Sequence, residues 1–142
     1  MEGAILHWMI AEDEADIRNL VKTMAELWGH TTVAFESGGK AWDFLDKVES
    51  GEYDKPLPQF ALMDIRMPGK RGEEVAKRIR EVVGVKDIPI VLMTAFVMSE
   101  DEMTTMKKET GVDYIMNKPL PDFMKLKETL ENVIASKQNS SS

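Results

Sequence analysis

Cysteine is absent from the 142-residue sequence. That excludes a disulfide framework, a thiol nucleophile and a thiolate metal site. Histidine is scarce: His7 and His30 are far apart, match no metal-ligand spacing and are assigned to structure. No apolar run approaches the ~20 residues of a membrane-spanning helix. Met1-Glu2-Gly3 lacks the basic flank and long apolar stretch of a secretory signal, so a cytoplasmic protein with no membrane contact is expected. Basic residues are outnumbered 18 to 25 by acidic ones, for a net charge of −7. Direct nucleic-acid binding by this segment is therefore disfavoured, because phosphate contacts need a basic surface. What is present is a 43% hydrophobic composition in a length suited to one packed domain.

Five apolar runs alternate with five helical patterns. Residues 4–11 read as the first strand, closed by Glu12-Asp13-Glu14. Ile17, Leu20, Val21, Met24, Leu27 and Trp28 are spaced as one helical face, with Gly29 as the residue that ends it. Thr31 to Phe35 is β-branched and aromatic, a second strand. Ser37 is placed to cap a helix whose inner face is Ala41, Phe44, Leu45 and Val48, with Trp42 off the stripe. Residues 49–59 form a loop, and Phe60 to Met63 is a buried strand leading into Asp64. A third helix follows Gly72, with Val75, Ile79, Val82 and Val83 inward and Gly84 stopping it. Residues 88–93 are the fourth strand, tolerating Pro89 near its start. Ser99 caps a fourth helix ending at Gly111, and residues 112–116 are the fifth strand. The last helix runs from Asp122 to Ser136, with Phe123, Leu126, Leu130, Val133 and Ile134 inward. One domain spans 4–136, and 137–142 is a disordered polar tail.

The strands are apolar throughout rather than alternating, the pattern of a parallel sheet covered on both faces. The fold class is therefore α/β, a doubly wound (βα)5 sandwich. In such sheets ligands bind beyond the carboxyl ends of the strands, at the switch in strand order. Glu12 and Asp13, Asp64, Thr94 and Lys118 all fall at carboxyl ends, of strands one, three, four and five. In the order 2-1-3-4-5, strand two is an edge, which accounts for its absence from the group.

Taken singly, each of these residues has an ordinary use: Asp64 as a helix cap or a solvated loop acid, Thr94 as a strand terminus, Lys118-Pro119 as a solvated loop. Together they make a chemical set. Two like charges ~4 Å apart repel by roughly 4 kcal/mol at an effective dielectric of 20. Lys118 offsets part of that, and the rest is relieved by protonation or by a bound cation. Oxygen donors without His or Cys favour a hard ion, and Mg2+ bridges carboxylates to phosphate. Asp64 beside such an ion suits nucleophilic attack on phosphorus to give an acyl phosphate. Lys118 would neutralise the transferring oxygens, and the Thr94 hydroxyl and Ala95 N–H would bind one of them.

Ala11-Glu12-Asp13-Glu14, Asp64-Ile65-Arg66-Met67-Pro68 with Gly72, Thr94-Ala95 and Lys118-Pro119 together resemble the response-regulator receiver domains of two-component signalling. The resemblance runs from about Ala4 to Ala135. It implies a flavodoxin-like fold, like that of the chemotaxis regulators. It implies phosphorylation of Asp64 by a sensor histidine kinase or histidine phosphotransfer protein. It further implies Mg2+ held by Asp13, Asp64 and the Arg66 backbone carbonyl, with Glu12 acting through water, and a cis Lys118-Pro119 bond. The face of helix four, strand five and helix five is implied as the surface for a downstream effector, an output domain or a second copy in a homodimer. Such a protein is a self-phosphorylating acceptor, not a turnover enzyme.

Three departures from the family pattern stand out. Glu12 replaces the more usual aspartate. The switch position three residues before the lysine is Ile115, not an aromatic; Tyr114 is one residue off and faces the other way. The segments 49–59 and 94–118 are long. Arg66 and Phe96, each two residues past a site residue, flank the mouth, where Phe96 is expected to hinder attacking water. Met98, Met103 and Met106 supply either core filling or an adaptable partner face. Two other readings are an aspartate-nucleophile phosphatase and a binding-only module of the same fold. The former resembles Asp-x-Asp loops, and Arg66 stands where its second acid would be.

Overall fold

The computed structural model describes residues 5–140. Ala4 and the last two residues of the expected tail lie outside the described residues. Ten elements alternate: β1 His7–Ala11, α1 Ala15–Leu27, β2 Thr31–Phe35, α2 Gly38–Ser50, β3 Phe60–Asp64, α3 Gly72–Ile79, β4 Ile90–Thr94, α4 Glu100–Thr110, β5 Tyr114–Asn117 and α5 Phe123–Ser140. The strands form one parallel sheet in the order β2-β1-β3-β4-β5.

Side chains alternate across this sheet, so it builds two cores. Met9, Ala61, Met63, Leu92 and Ile115 face α2, α3 and α4 and pack with Leu45, Val75 and Ile79. Trp8, Ile10, Phe60, Leu62, Val91 and Met116 face α1 and α5 and pack with Val21, Ala25, Leu126 and Leu130. β3 and β4 are buried along their whole length, as central strands covered on both sides must be. Met98, Met103 and Met106 lie half-buried against the first core, which favours the core-filling alternative.

Several expected positions differ. Leu20 and Leu27 are 51% and 71% exposed. The buried stripe of α1 runs through Val21, Met24 and Ala25, so the apolar face is wider than the contact it makes. The surplus lines an apolar groove with Pro119, Leu120, Pro121 and Phe123. Phe123 is likewise exposed and meets Trp28 edge to face at 5.2 Å. α3 stops at Ile79, five residues before Gly84. Past it the Glu81 and Val82 amides donate to the carbonyls three residues back, of Arg78 and Ile79, and the Arg80 guanidinium donates to the backbone carbonyls of Lys86, Ile88 and Gly111 and pairs with Asp113. That turns the chain out of helical period, so Val82 and Val85 are buried while Val83 is exposed. Asp113 also accepts from Ile90 N–H at 2.8 Å, which starts the β4–β5 ladder later than apolarity alone suggests. α5 runs on to Ser140, past the point where the tail was expected to begin. Lys137 holds Asp113 at 3.3 Å there, so this turn needs no apolar face.

Two glycines let backbone segments meet beneath the sheet's carboxyl edge. A Cβ on Gly72 would lie 2.2 Å from the Asp64 carbonyl oxygen, and one on Gly38 would lie 1.8 Å from the Lys70 carbonyl oxygen. The Gly38 and Gly39 N–H groups at the start of α2 donate to the Pro68 carbonyl. The loop after Asp64 is thus fixed by main chain on both sides. Gly72→Ala is expected to lower stability by about 1–3 kcal/mol, read as a fall in urea midpoint. An unchanged midpoint would show that the loop yields freely.

Candidate functional site

Asp64, the last residue of β3, shares the parity of Phe60 and Leu62 and so points toward the α1–α5 side. Glu12 and Asp13 follow β1 directly, and Lys118 follows β5. The parallel register brings the carboxyl ends of β1, β3, β4 and β5 into one row. Thr94 ends β4 opposite Asn117, and its carbonyl accepts from Lys118 N–H at 2.7 Å. The Lys118–Pro119 bond is cis.

The side chains converge. Lys118 Nζ lies 2.8 Å from Glu12 Oε1, 3.3 Å from Asp64 Oδ2 and 3.6 Å from Glu14 Oε1. Carboxylate oxygens of Glu12, Asp13 and Asp64 fall within 4.8 Å of one another. Glu12 is fully buried, whereas Asp13 is exposed. The second Glu12 oxygen accepts from Glu14 N–H at 3.0 Å, and Arg18 anchors the Glu12 carbonyl at 2.8 Å. Asp13, Glu14, Asp64, Arg66, Thr94, Ala95, Phe96 and Lys118 line a cleft of about 240 Å3. Thr94 is buried, and its Oγ1 accepts from Phe96 N–H at 3.0 Å, leaving the hydroxyl hydrogen free to donate. Arg66 stacks over the Phe96 ring, 4.2 Å from its centroid, and forms a rim.

Every residue assigned to the site from sequence lies here except Ile115. That side chain is buried in the core beneath α4, away from the cleft. Tyr114 is partly exposed on the sheet edge, with Lys107 Nζ 5.9 Å from its ring centroid. The sequence reading missed Glu14 as a partner of Lys118. Its place after Glu12-Asp13 was visible, but the turn of its side chain toward the lysine was not.

The electrostatics follow from crowding. Burial pushes the Glu12 carboxyl up from 4.5 to about 7, against the opposing Lys118 hydrogen bond. Burial also pushes Asp64 up, opposed by the Lys118 charge. For Lys118, burial pulls downward, but its bonds to Glu12 and Asp64 prevail and hold the ammonium above an ordinary lysine. The donor set of three carboxylates, open to solvent through Asp13 and free of nitrogen and sulfur donors, fits a hard divalent cation such as Mg2+.

These shifts fix the sign of a pH dependence in the metal-free protein. Glu12 binds its proton more tightly folded than unfolded, so its contribution to stability is full below pH 4.5 and lost as pH rises to about 7. Asp64 acts with the same sign. The Lys118 contribution is constant across that window and is lost only in the alkaline range. Urea unfolding with chelator present is expected to show a loss of roughly 2–3 kcal/mol across the window. Glu12→Gln should flatten most of it; an equally steep profile in that variant would assign the effect elsewhere.

Comparison with known proteins agrees with this geometry. Residues 8–131 match the model of the response regulator receiver domain. The chain is 29% identical over 129 residues to the chemotaxis protein CheY homolog of Campylobacter jejuni, covering 90% of this chain and 92% of that one. It is 28% identical over 132 residues to the two-component response regulator ARR3 of Arabidopsis thaliana, covering 88% of this chain but only 55% of that relative. The solved CheY-like receiver domain from Methanospirillum hungatei superposes with a TM-score of 0.76 at 18% identity, covering 96% of this chain and 99% of that one. With the five-stranded order and the acid–lysine cleft already established, the match over most of the sequence shows that the chain belongs to the response regulator receiver domain family.

Proposed function

We propose that Asp64 accepts a phosphoryl group from a phosphohistidine on a sensor kinase or phosphotransfer protein in the cytoplasm. The observation that carries this is Lys118 Nζ held 3.3 Å from Asp64 Oδ2 within a cleft that also presents Thr94 and Ala95. An Asp64 oxygen forms the new bond to phosphorus as the phosphorus–nitrogen bond breaks, and the electron pair of that bond returns to the imidazole. The product is a mixed anhydride on Asp64. Lys118 supplies positive charge to the transferring oxygens, and the Thr94 hydroxyl and Ala95 N–H donate to one of them. Mg2+, when held by Asp13, Asp64 and the Arg66 carbonyl, with Glu12 behind, would neutralise the phosphoryl charge.

The reaction is stoichiometric: one acceptor carboxylate is modified and the protein is not a turnover enzyme. Its consequence is a changed surface for a downstream effector, on the face of α4, β5 and α5. Ile115 stands beneath that face in place of an aromatic ring, so Thr94 acts on it by displacing packed apolar side chains. Incubation with Mg2+ and acetyl phosphate is expected to add one phosphoryl mass to the wild type and none to Asp64→Asn. No gain in the wild type, and no response to beryllofluoride, would leave a binding-only module of this fold.

Phe96 bears on the lifetime of the product. It stands half-exposed over the mouth, clasped by Arg66, where it limits the approach of water to phosphorus. Phe96→Ala is expected to lower the hydrolysis barrier by about 1 kcal/mol, shortening the phosphoryl half-life roughly fivefold. An unchanged half-life by intact-protein mass spectrometry would remove Phe96 from the mechanism.

A further inference from the structure

Glu14 reaches Lys118 without belonging to the carboxylate group suited to a cation. That group is Glu12, Asp13 and Asp64, and Glu14 Oε1 stands 3.6 Å from Lys118 Nζ on the solvent side. Glu14 also occupies the N-cap position of α1, yet its side chain makes no capping hydrogen bond. Ser, Thr, Asp or Asn would serve the helix better there. The side chain is turned to the lysine instead. Meanwhile its backbone N–H holds the second oxygen of Glu12 at 3.0 Å. One residue therefore touches the site twice, fixing a buried acid through main chain and meeting the buried ammonium through its side chain.

The lysine needs such a partner. Its side chain is only 9% exposed, and its two shorter contacts are both to members of the cation-suited group. A divalent ion held by that group draws on the same negative charge and repels the ammonium. Among the described residues, Glu14 is the remaining carboxylate within ion-pair distance of Nζ. Resting on the Mg2+-dependent reading of the cleft, we propose that Glu14 is a positioning residue. It keeps Lys118 paired when a divalent cation occupies the acidic group, so that the cleft holds both positive charges at once. It acts on the cation through the lysine, not directly.

The test is calorimetric titration of Mg2+ into the unphosphorylated chain, compared across wild type, Glu14→Gln, Lys118→Met and the double variant. Glu14→Gln is expected to weaken Mg2+ binding about two- to fivefold, the scale of a partly exposed ion pair. In the Lys118→Met background the same substitution should leave the affinity unchanged. Equal weakening in both backgrounds would overturn the proposal, since Glu14 would then act on the cation by its own charge. No effect in either background would overturn it too. A wild type that binds no Mg2+ would instead overturn the reading of the cleft, and this inference with it.

Discussion

Three carboxylates within 4.8 Å of one another would repel one another strongly in a fold that buries one of them completely. The Lys118 ammonium, in contact with two of them and with Glu14 at the rim, makes the arrangement tolerable. The rest of the cleft is arranged around that contact. The lysine is delivered by the end of β5, and its backbone is tied to β4 through the Thr94 carbonyl. The acids arrive from β1 and β3. A parallel sheet with its switch between β1 and β3 brings these termini to one rim without distorting any of them.

The loop beyond Asp64 receives its shape from main chain rather than side chains. Gly72 folds back on the Asp64 carbonyl, and the first amides of α2 take the Pro68 carbonyl. Arg66 is thereby carried to the mouth with its backbone constrained. Lys70, from the same loop, stacks on Trp42 of α2, 4.5 Å from the ring centroid. The loop that follows Asp64 is thus in direct contact with α2.

Much of this was legible in the chain. Apolar runs ending in Asp64, Thr94 and Lys118 announced both the sheet and its functional rim, because the ordinary uses that account for each residue singly do not account for all of them at carboxyl ends together. Caps at Ser37 and the turn at Gly111 followed from local chemistry that the fold leaves intact. What stayed hidden depends on neighbours distant in sequence. Leu20, Leu27 and Phe123 fit helical stripes but exceed the area their partners cover. Val83 continues a helical period that has already ended at Ile79. Ile115 could be placed by counting back from Lys118, yet its burial among the α4 methionines is a tertiary fact. Glu14 looked like the last of an acidic run, and the turn of its side chain depends on Lys118, a neighbour distant in sequence.

Arg80 ties together two connections at one end of the sheet. Its guanidinium gathers three carbonyls from the α3–β4 and α4–β5 connections together with the Asp113 carboxylate. These contacts lie at the amino ends of β4 and β5, opposite the cleft. The amino ends of β4 and β5 are thereby clamped to each other by one side chain, while the carboxyl ends that carry Thr94 and Lys118 are joined by main chain through the Thr94 carbonyl.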